Sequence, residues 1–230
     1  MTVSEEKIKE KLLTAPFFAG FSQGDLDSFW RLPQVKKEKY LPGSHIFFAG
    51  DVPEKFYILL TGAVRILQET YGGQELHLAD ISETGDLFGE VYLFIRRQNY
   101  DMTARIITET TVLGIDKTLF SPSAQEYGLV QKLQYNLLNI FAGKAFFLNR
   151  KLRVLASGSL RKKIIRYLWQ QTPDENGWIY LGRRETLASY LAVTRPSLSR
   201  ELLCMQEEGL ITLQGQKARL EKKEMTTAYL

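Results

Sequence analysis

Residues 184–203 read RETLASYLAVTRPSLSRELL, and their types and spacing suit the reading of a DNA duplex. Arg195 and Arg200 fall in the N-terminal half of a helix that Thr194 would open. A guanidinium pairs bidentately with the O6 and N7 edge of guanine, so both arginines can contact bases. Ser197 and Ser199 lie between them, and hydroxyls beside a helix N-terminus suit phosphate oxygens. Lys217 and Arg219, with Arg183 and Arg184, are placed to hold the backbone of the duplex. A helical hairpin with a solvated basic face is the plainer reading of the same residues.

The surrounding pattern supplies the elements such residues need. Leu187, Ala188 and Leu191 share one face of a helix over Arg184–Leu191. Leu198 and Leu202 share one face of a second helix over Arg195–Glu208, and Val193 fills the turn between. Thr194 is a good N-cap, and Pro196 in the first turn loses no hydrogen bond. Small Ala188 lets the two helices approach closely. Gly209 stops the second helix, and Leu210–Leu213 with Lys217–Leu220 flank Gln214-Gly215-Gln216 as a hairpin. Upstream, Ser159 caps a helix over Leu160–Gln171, and Trp178–Leu181 is a short strand. The pattern is a winged helix-turn-helix.

A different pattern fills the first half. An amphipathic helix leads to Pro16 and a short helix covers residues 24–32. Short β-type runs follow at His45–Ala49, Phe56–Leu60, Ala63–Gln68, Glu75–Ile81, Thr103–Ile107 and Thr111–Ile115. Glycine turns separate them, as in an all-β barrel or sandwich. From Ser123 to about Ala156 the period becomes helical, predicting one helix of roughly 50 Å at 1.5 Å per residue. Leu133, Leu137, Ile140 and Phe147 form one stripe along it. Leu138, Phe141, Ala145, Leu148, Leu152 and Leu155 form another, with the heptad spacing of a helix that pairs with its own copy. Burial of that stripe elsewhere in the same chain is the alternative.

Composition narrows the function classes. With 230 residues, 44% hydrophobic and 24% charged, the chain is globular. No run reaches the ~18 apolar residues of a membrane span, and MTVSEEKIKEKLL is too mixed in charge for a signal peptide. A cytoplasmic protein without membrane association is expected. Cys204, His45 and His77 are the whole cysteine and histidine complement, so no structural metal site is expected. Neither a P-loop, a paired-carboxylate cassette nor a nucleophile elbow stands out, so an enzyme is not expected. Residues 1–157 hold 18 basic and 18 acidic side chains, whereas 158–230 hold 12 and 8. The whole net charge of +4 therefore sits in the last third, which suits an anionic partner there.

In this order of parts the sequence resembles the Crp/Fnr family of bacterial transcription regulators. The landmarks are PG at 42–43, AGD at 49–51, YILLTGAVRI at 57–66, GGQEL at 72–76 and GDLFGE at 85–90, before the long helix and the winged helix-turn-helix. The resemblance implies an α+β chain. Its parts would be a double-stranded β-helix (a cupin-like jelly-roll barrel) over 1–122, a dimerisation helix and hinge over 123–157, and a DNA-binding winged helix-turn-helix over 158–230. It implies a homodimer that binds a palindromic duplex, works with RNA polymerase and is controlled by a small effector in the barrel. Arg195 and Arg200 match the family's base-reading positions, with Thr194, Ser197, Ser199, Arg184 and Lys217 beside them. Pro196 stands where many relatives carry Glu, which removes an acceptor for a cytosine N4 donor. Ala192 stands in place of a common turn glycine.

The effector site implied by the resemblance comprises Gly89, Glu90, Val91, Met102, Thr103 and Ala104, with Leu148 and Asn149 of the long helix. Cyclic-nucleotide binders of the family close this cassette with Arg-Ser/Thr-Ala, but here the arginine is Met102. A buried phosphate would lose a charge-assisted bidentate partner. Arg96 and Arg97 could replace it or be solvent-facing loop charges. The expected effector is therefore unidentified and not cyclic AMP. Glu90 has a structural alternative, bonding to backbone in the glycine turn. Cysteine-cluster oxygen sensing is excluded by the single cysteine, and His45 and His77 read as surface or core residues before haem ligands. Cys204 faces inward on the second helix and reads as inert. The aromatic side chains Tyr135, Phe141, Phe146 and Phe147 line either an apolar ligand pocket or simply the core and seam. Two other functions compete: a ligand-binding barrel acting through a protein partner, and a regulator that needs no effector.

Overall fold

Two segments with different periodicity give two compact units, one ending at Ile140 and the other beginning at Phe141. The computed structural model describes residues 3–69, 74–95, 99–121 and 127–221. In the first unit, α1 (Val3–Thr14) leads through a 3-10 turn at Pro16–Phe18 to α2 (Gln23–Trp30). Ser22 and Asp25 form a reciprocal capping box at the start of α2, satisfying two otherwise orphaned N–H groups. Phe17, Phe18, Phe29 and Phe56 are fully buried and meet edge to face, with ring centroids 5.0–6.3 Å apart.

Eight strands follow: β1 (Val35–Tyr40), β2 (His45–Phe47), β3 (Lys55–Thr61), β4 (Val64–Glu69), β5 (Glu75–Ile81), β6 (Leu87–Phe88), β7 (Thr103–Ile106) and β8 (Thr110–Asp116), with α3 (Glu90–Phe94) between β6 and β7. They form two four-stranded antiparallel sheets, β1-β8-β3-β6 and β2-β7-β4-β5, which is the expected jelly-roll barrel. All six expected runs are strands, though β2 stops at Phe47. The run Val35–Tyr40 gave no sequence signal because VKKEKY is charged. It is an edge strand, held in register by β8 through pairs such as Lys37 with Leu113. The β3–β4 turn depends on Gly62 at φ +96, where a Cβ would lie 2.4 Å from Thr110 Oγ1. That buried hydroxyl accepts the Ala63 N–H at 3.1 Å, so the turn and β8 are locked together.

The long helix α4 (Tyr127–Leu155) contributes to both units. Its expected start at Ser123 lies outside the described residues. Leu133 and Leu137 are buried in the first unit, as the first stripe requires. Phe147 is not: it is 55% exposed and, in the second unit, meets the Tyr190 ring edge on at 6.3 Å. A straight stripe cannot continue where the surface it packs on has changed. The other stripe is exposed at Leu138 (64%), Leu148 (57%) and Leu152 (62%).

The second unit contains α5 (Leu160–Trp169), β9 (Ile179–Tyr180), α6 (Arg184–Tyr190), α7 (Arg195–Glu207), β10 (Ile211–Gln214) and β11 (Lys217–Leu220). The three strands form an antiparallel sheet in the order β10-β11-β9. Its core joins Val154 of α4 to Ile164, Ile165 and Leu168 of α5 and to the inner faces of α6 and α7. Among the described residues no helix is long and apolar enough to cross a membrane.

Asn136 fixes α4 within the first unit, because its buried amide donates to the carbonyls of Phe17 (2.9 Å) and Ala19 (3.0 Å). Asn136→Ala leaves both carbonyls without that donor and is expected to lower stability by about 1–3 kcal/mol, read from urea unfolding.

Candidate nucleic-acid interface and effector site

The inner face of α7 is set by Leu198, Leu202 and Met205, and that of α6 by Leu187 and Ala188, with Leu191 at its C-cap; all six are buried. Thr194 caps α7: its hydroxyl oxygen accepts the Ser197 N–H at 3.3 Å and lies 2.9 Å from the Ser197 hydroxyl. With the inner face fixed, Arg195, Ser197 and Arg200 project into solvent and Ser199 is half-buried. The turn between the helices places Ala192 at φ +52, the left-handed region that a glycine would occupy without strain.

The predicted contact residues are held in different ways. Arg200 makes no hydrogen bond or ion pair among the described residues, while Arg195 Nε lies 3.0 Å from Glu185 Oε1 in an exposed pair. Lys217 pairs with Asp174 at 3.1 Å, so its ammonium is already partly neutralised. Arg184 turns inward. Its Nη2 lies 3.5 Å from the Gly215 carbonyl of the wing turn, its Nη1 is buried without a hydrogen-bond partner among the described residues, and burial pushes its pKa down. Arg219 bonds to Glu221 and stacks over Trp178 at 4.9 Å. Cys204 is half-buried rather than fully inward.

Sequence reasoning missed what orients α7. Arg161 on α5 donates to Glu201 at 2.6 Å and, with both terminal nitrogens, to Glu208 at 2.6 and 2.8 Å. These bonds join residues forty or more positions apart, so no local spacing could reveal them. Tyr180 was also missed; its side chain is exposed, and its hydroxyl donates to Gln216 Oε1 at 2.8 Å and steadies the wing.

In the barrel, Gly89 adopts φ +78 and opens α3, whose first residue Glu90 is only 3% exposed. Val91 is exposed, Ala104 is fully buried on β7, and Thr103 Oγ1 accepts the Ala49 N–H at 3.1 Å. The two ends of the cassette meet through Tyr92, which donates to Asp101, and through Tyr100, which stacks on Phe47 at 3.9 Å. Burial, then the Asp101 carboxylate, pushes Tyr92 up to about 12. Met102 is half-buried against this core. Phe47 also approaches Tyr57 at 6.1 Å, and Tyr57 stacks on Phe88 at 5.3 Å, so five rings run through the barrel. A cleft of about 450 Å³ beside them is lined by Glu38, Asp51, Glu54 and Lys55. Lys55 is already bonded to Glu38 at 2.7 Å, leaving a surplus of negative charge. Leu148 and Asn149 belong to the other unit, on an exposed face of α4, and Arg96 and Arg97 lie outside the described residues. Among the described residues no group of histidine, cysteine and carboxylates could hold a metal ion.

Comparison with known proteins matches this division. Residues 37–127 match the cyclic nucleotide-binding domain model, and residues 162–225 match the Crp-like helix-turn-helix domain model. The chain is 26% identical over 199 residues to the cyclic AMP receptor protein of Thermus thermophilus, covering 86% of this chain and 89% of that protein. It is 24% identical over 196 residues to the anaerobic regulatory protein of Bacillus subtilis, covering 82% and 81%. Among solved structures, the catabolite activator protein of Thermus thermophilus aligns with a TM-score of 0.54 at 22% identity, covering 94% of this chain and 98% of that one. At that identity the alignment speaks for the fold.

The left-handed turn residue gives a direct test of the local geometry. Ala192→Gly relieves the strain and is expected to stabilise the second unit by about 0.5–1 kcal/mol, after the entropy glycine adds to the unfolded chain. A thermal scan should show a rise of roughly 2–5 °C in its midpoint.

Proposed function

The chain belongs to the Crp/Fnr family of transcription regulators, a family that is not one of enzymes, and from that premise we propose that it binds a palindromic operator as a homodimer. The observation that carries this reading is the outer face of α7, where Arg195, Ser197 and Arg200 stand exposed above a fully packed inner face. In the proposed complex Arg195 and Arg200 read guanine edges, and the Thr194–Ser197 end of the helix takes a phosphate. Ser199, Arg184 and Lys217 support the contact from the half-buried side and the wing. The proposed segments are an effector barrel over 1–122, a dimerisation helix and hinge over 123–157, and a DNA-binding domain over 158–230. The protein works in the cytoplasm, with RNA polymerase as a further partner.

Several relatives carry cyclic AMP in their names, among them the receptor of Thermus thermophilus and the Vfr regulator of Pseudomonas aeruginosa. We infer a different effector here, one that uses the Gly89–Val91 and Met102–Ala104 cassette of the barrel. Support comes from Met102 in place of an arginine, which leaves a phosphate anion in the cassette without its charge-assisted bidentate partner. A second reading, a regulator without an effector, is favoured by the five rings that already occupy the barrel.

Selection of purified protein against random duplexes, with and without cyclic AMP, is expected to enrich the same palindrome in both arms. Enrichment only with cyclic AMP would overturn the effector reading, and none in either arm would leave a missing effector or a barrel acting through a protein partner. Arg200→Ala is expected to weaken the selected site by about 1–3 kcal/mol, roughly 5–150-fold, in a binding titration at fixed salt. Dimerisation is tested separately. Leu148→Glu combined with Leu152→Glu places carboxylates on the exposed seam, and sedimentation should then report one chain where the parent gives two.

A further inference from the structure

A cavity of about 380 Å³ opens in the second unit between the end of α4, α5 and α6. Its volume lies in the range of small-molecule sites. Phe147, Tyr167 and Tyr190 supply three aromatic walls, with Tyr190 edge-on to Phe147 (66°) and to Tyr167 (63°). Such an arrangement leaves a notch in which a further ring stacks on one wall and meets another edge-on.

The polar side of the cavity is selective in sign. Arg150 lines it and no carboxylate does. The guanidinium has two light contacts, Nε 3.4 Å from Gln170 Oε1 and the central carbon 5.7 Å over the Phe146 ring, while the two terminal nitrogens make no hydrogen bond or ion pair among the described residues. Gln170 in turn donates to the Arg150 carbonyl at 3.1 Å, which fixes the backbone beneath the fork. Lys151 stands 5.5 Å over the Tyr190 ring and adds positive charge at the same wall. Burial raises the pKa of both tyrosines, so they remain neutral donors, and neither phenol hydroxyl has a partner among the described residues.

We propose that this cavity binds a small planar aromatic carboxylate, its ring in the Phe147–Tyr167–Tyr190 notch and its carboxylate on the terminal nitrogens of Arg150. A guanidinium fork and a carboxylate match in geometry as well as charge, and a half-buried site strengthens the pair. A ligand there touches α4, α5 and α6 at once, so it ties the end of the long helix to the first helix of the helix-turn-helix. The site is separate from the barrel cassette and shares no residue with it.

The test is calorimetric titration of the full chain with benzoate, salicylate and indole-3-acetate, with benzamide and inorganic phosphate as controls. The expected result is saturable binding of at least one acid, one per chain, about tenfold or more tighter than either control. Arg150→Met should remove about tenfold of that affinity, and Tyr190→Ala should weaken it several-fold. Arg150→Lys, which keeps the charge without the fork, should fall between parent and Arg150→Met. Thermal midpoints of the unliganded variants check that Arg150→Met still folds. The proposal is overturned if no acid saturates, if benzamide or phosphate binds as tightly, or if Arg150→Met binds like the parent.

Discussion

The 29 residues of α4 carry apolar side chains on more faces than one chain covers, and much of the structure answers to that surplus. Leu133 and Leu137 close the core of the first unit, and Val154 joins the core of the second. Leu138, Leu148 and Leu152 remain in solvent at heptad spacing, and so do Tyr135 and Phe146. Leaving such a stripe wet forgoes roughly 1.5–3 kcal/mol for each large side chain that a partner helix would bury. Under the proposed reading, a helix that serves both units with its buried face and pairs with its own copy through the free one would couple dimer formation to both units. That coupling is what a regulator with paired recognition helices requires.

The two units manage charge in opposite ways. In the barrel, cations are largely consumed: Lys55 by Glu38, Arg65 by Asp80, and Arg105 by Glu75. The cleft beside the aromatic rings is left acidic. On the helix-turn-helix the order is reversed, because Arg161 satisfies Glu201 and Glu208 from behind. With those two carboxylates engaged by Arg161, they compete less with an anion approaching the outer face of α7. The same bonds hold α7 against α5, so one arginine both orients the recognition helix and masks acidic charge.

The helix-turn-helix was legible because its signals are local. Thr194, Pro196, Ala188 and Gly209 each act within a few residues, and all take the expected places in the fold. The strands of the barrel were legible wherever both faces are buried, as in Lys55–Thr61. Val35–Tyr40 was not, because the charged run VKKEKY carries no β-type pattern of its own and its register comes from pairing with β8. The cassette was legible as a motif, but its surroundings were not. Nothing in the spacing of Phe47, Tyr57, Phe88, Tyr92 and Tyr100 shows that they stack, since the contacts join four separate elements and the segment before β7. Phe147 failed for a related reason: helical periodicity cannot show where the partner surface changes.

Under the proposed reading, the chemistry of α7 also limits the operator. Pro196 contributes no acceptor, so a cytosine amino group finds no carboxylate at that position. The Ser197 hydroxyl is already engaged with Thr194 at the cap, which directs it toward the phosphate side of the helix end. Direct readout then rests on two guanidinium groups with different freedom. Arg200 has no hydrogen-bond or ion-pair partner among the described residues and can adjust to the base it meets. Arg195 Nε lies 3.0 Å from the exposed Glu185 carboxylate, so a base that takes this guanidinium competes with that partner. Either guanidinium suits the O6 and N7 edge of guanine. Specificity in each half-site would therefore concentrate on guanines, one read by an arginine that must leave a carboxylate and one by an arginine that need not.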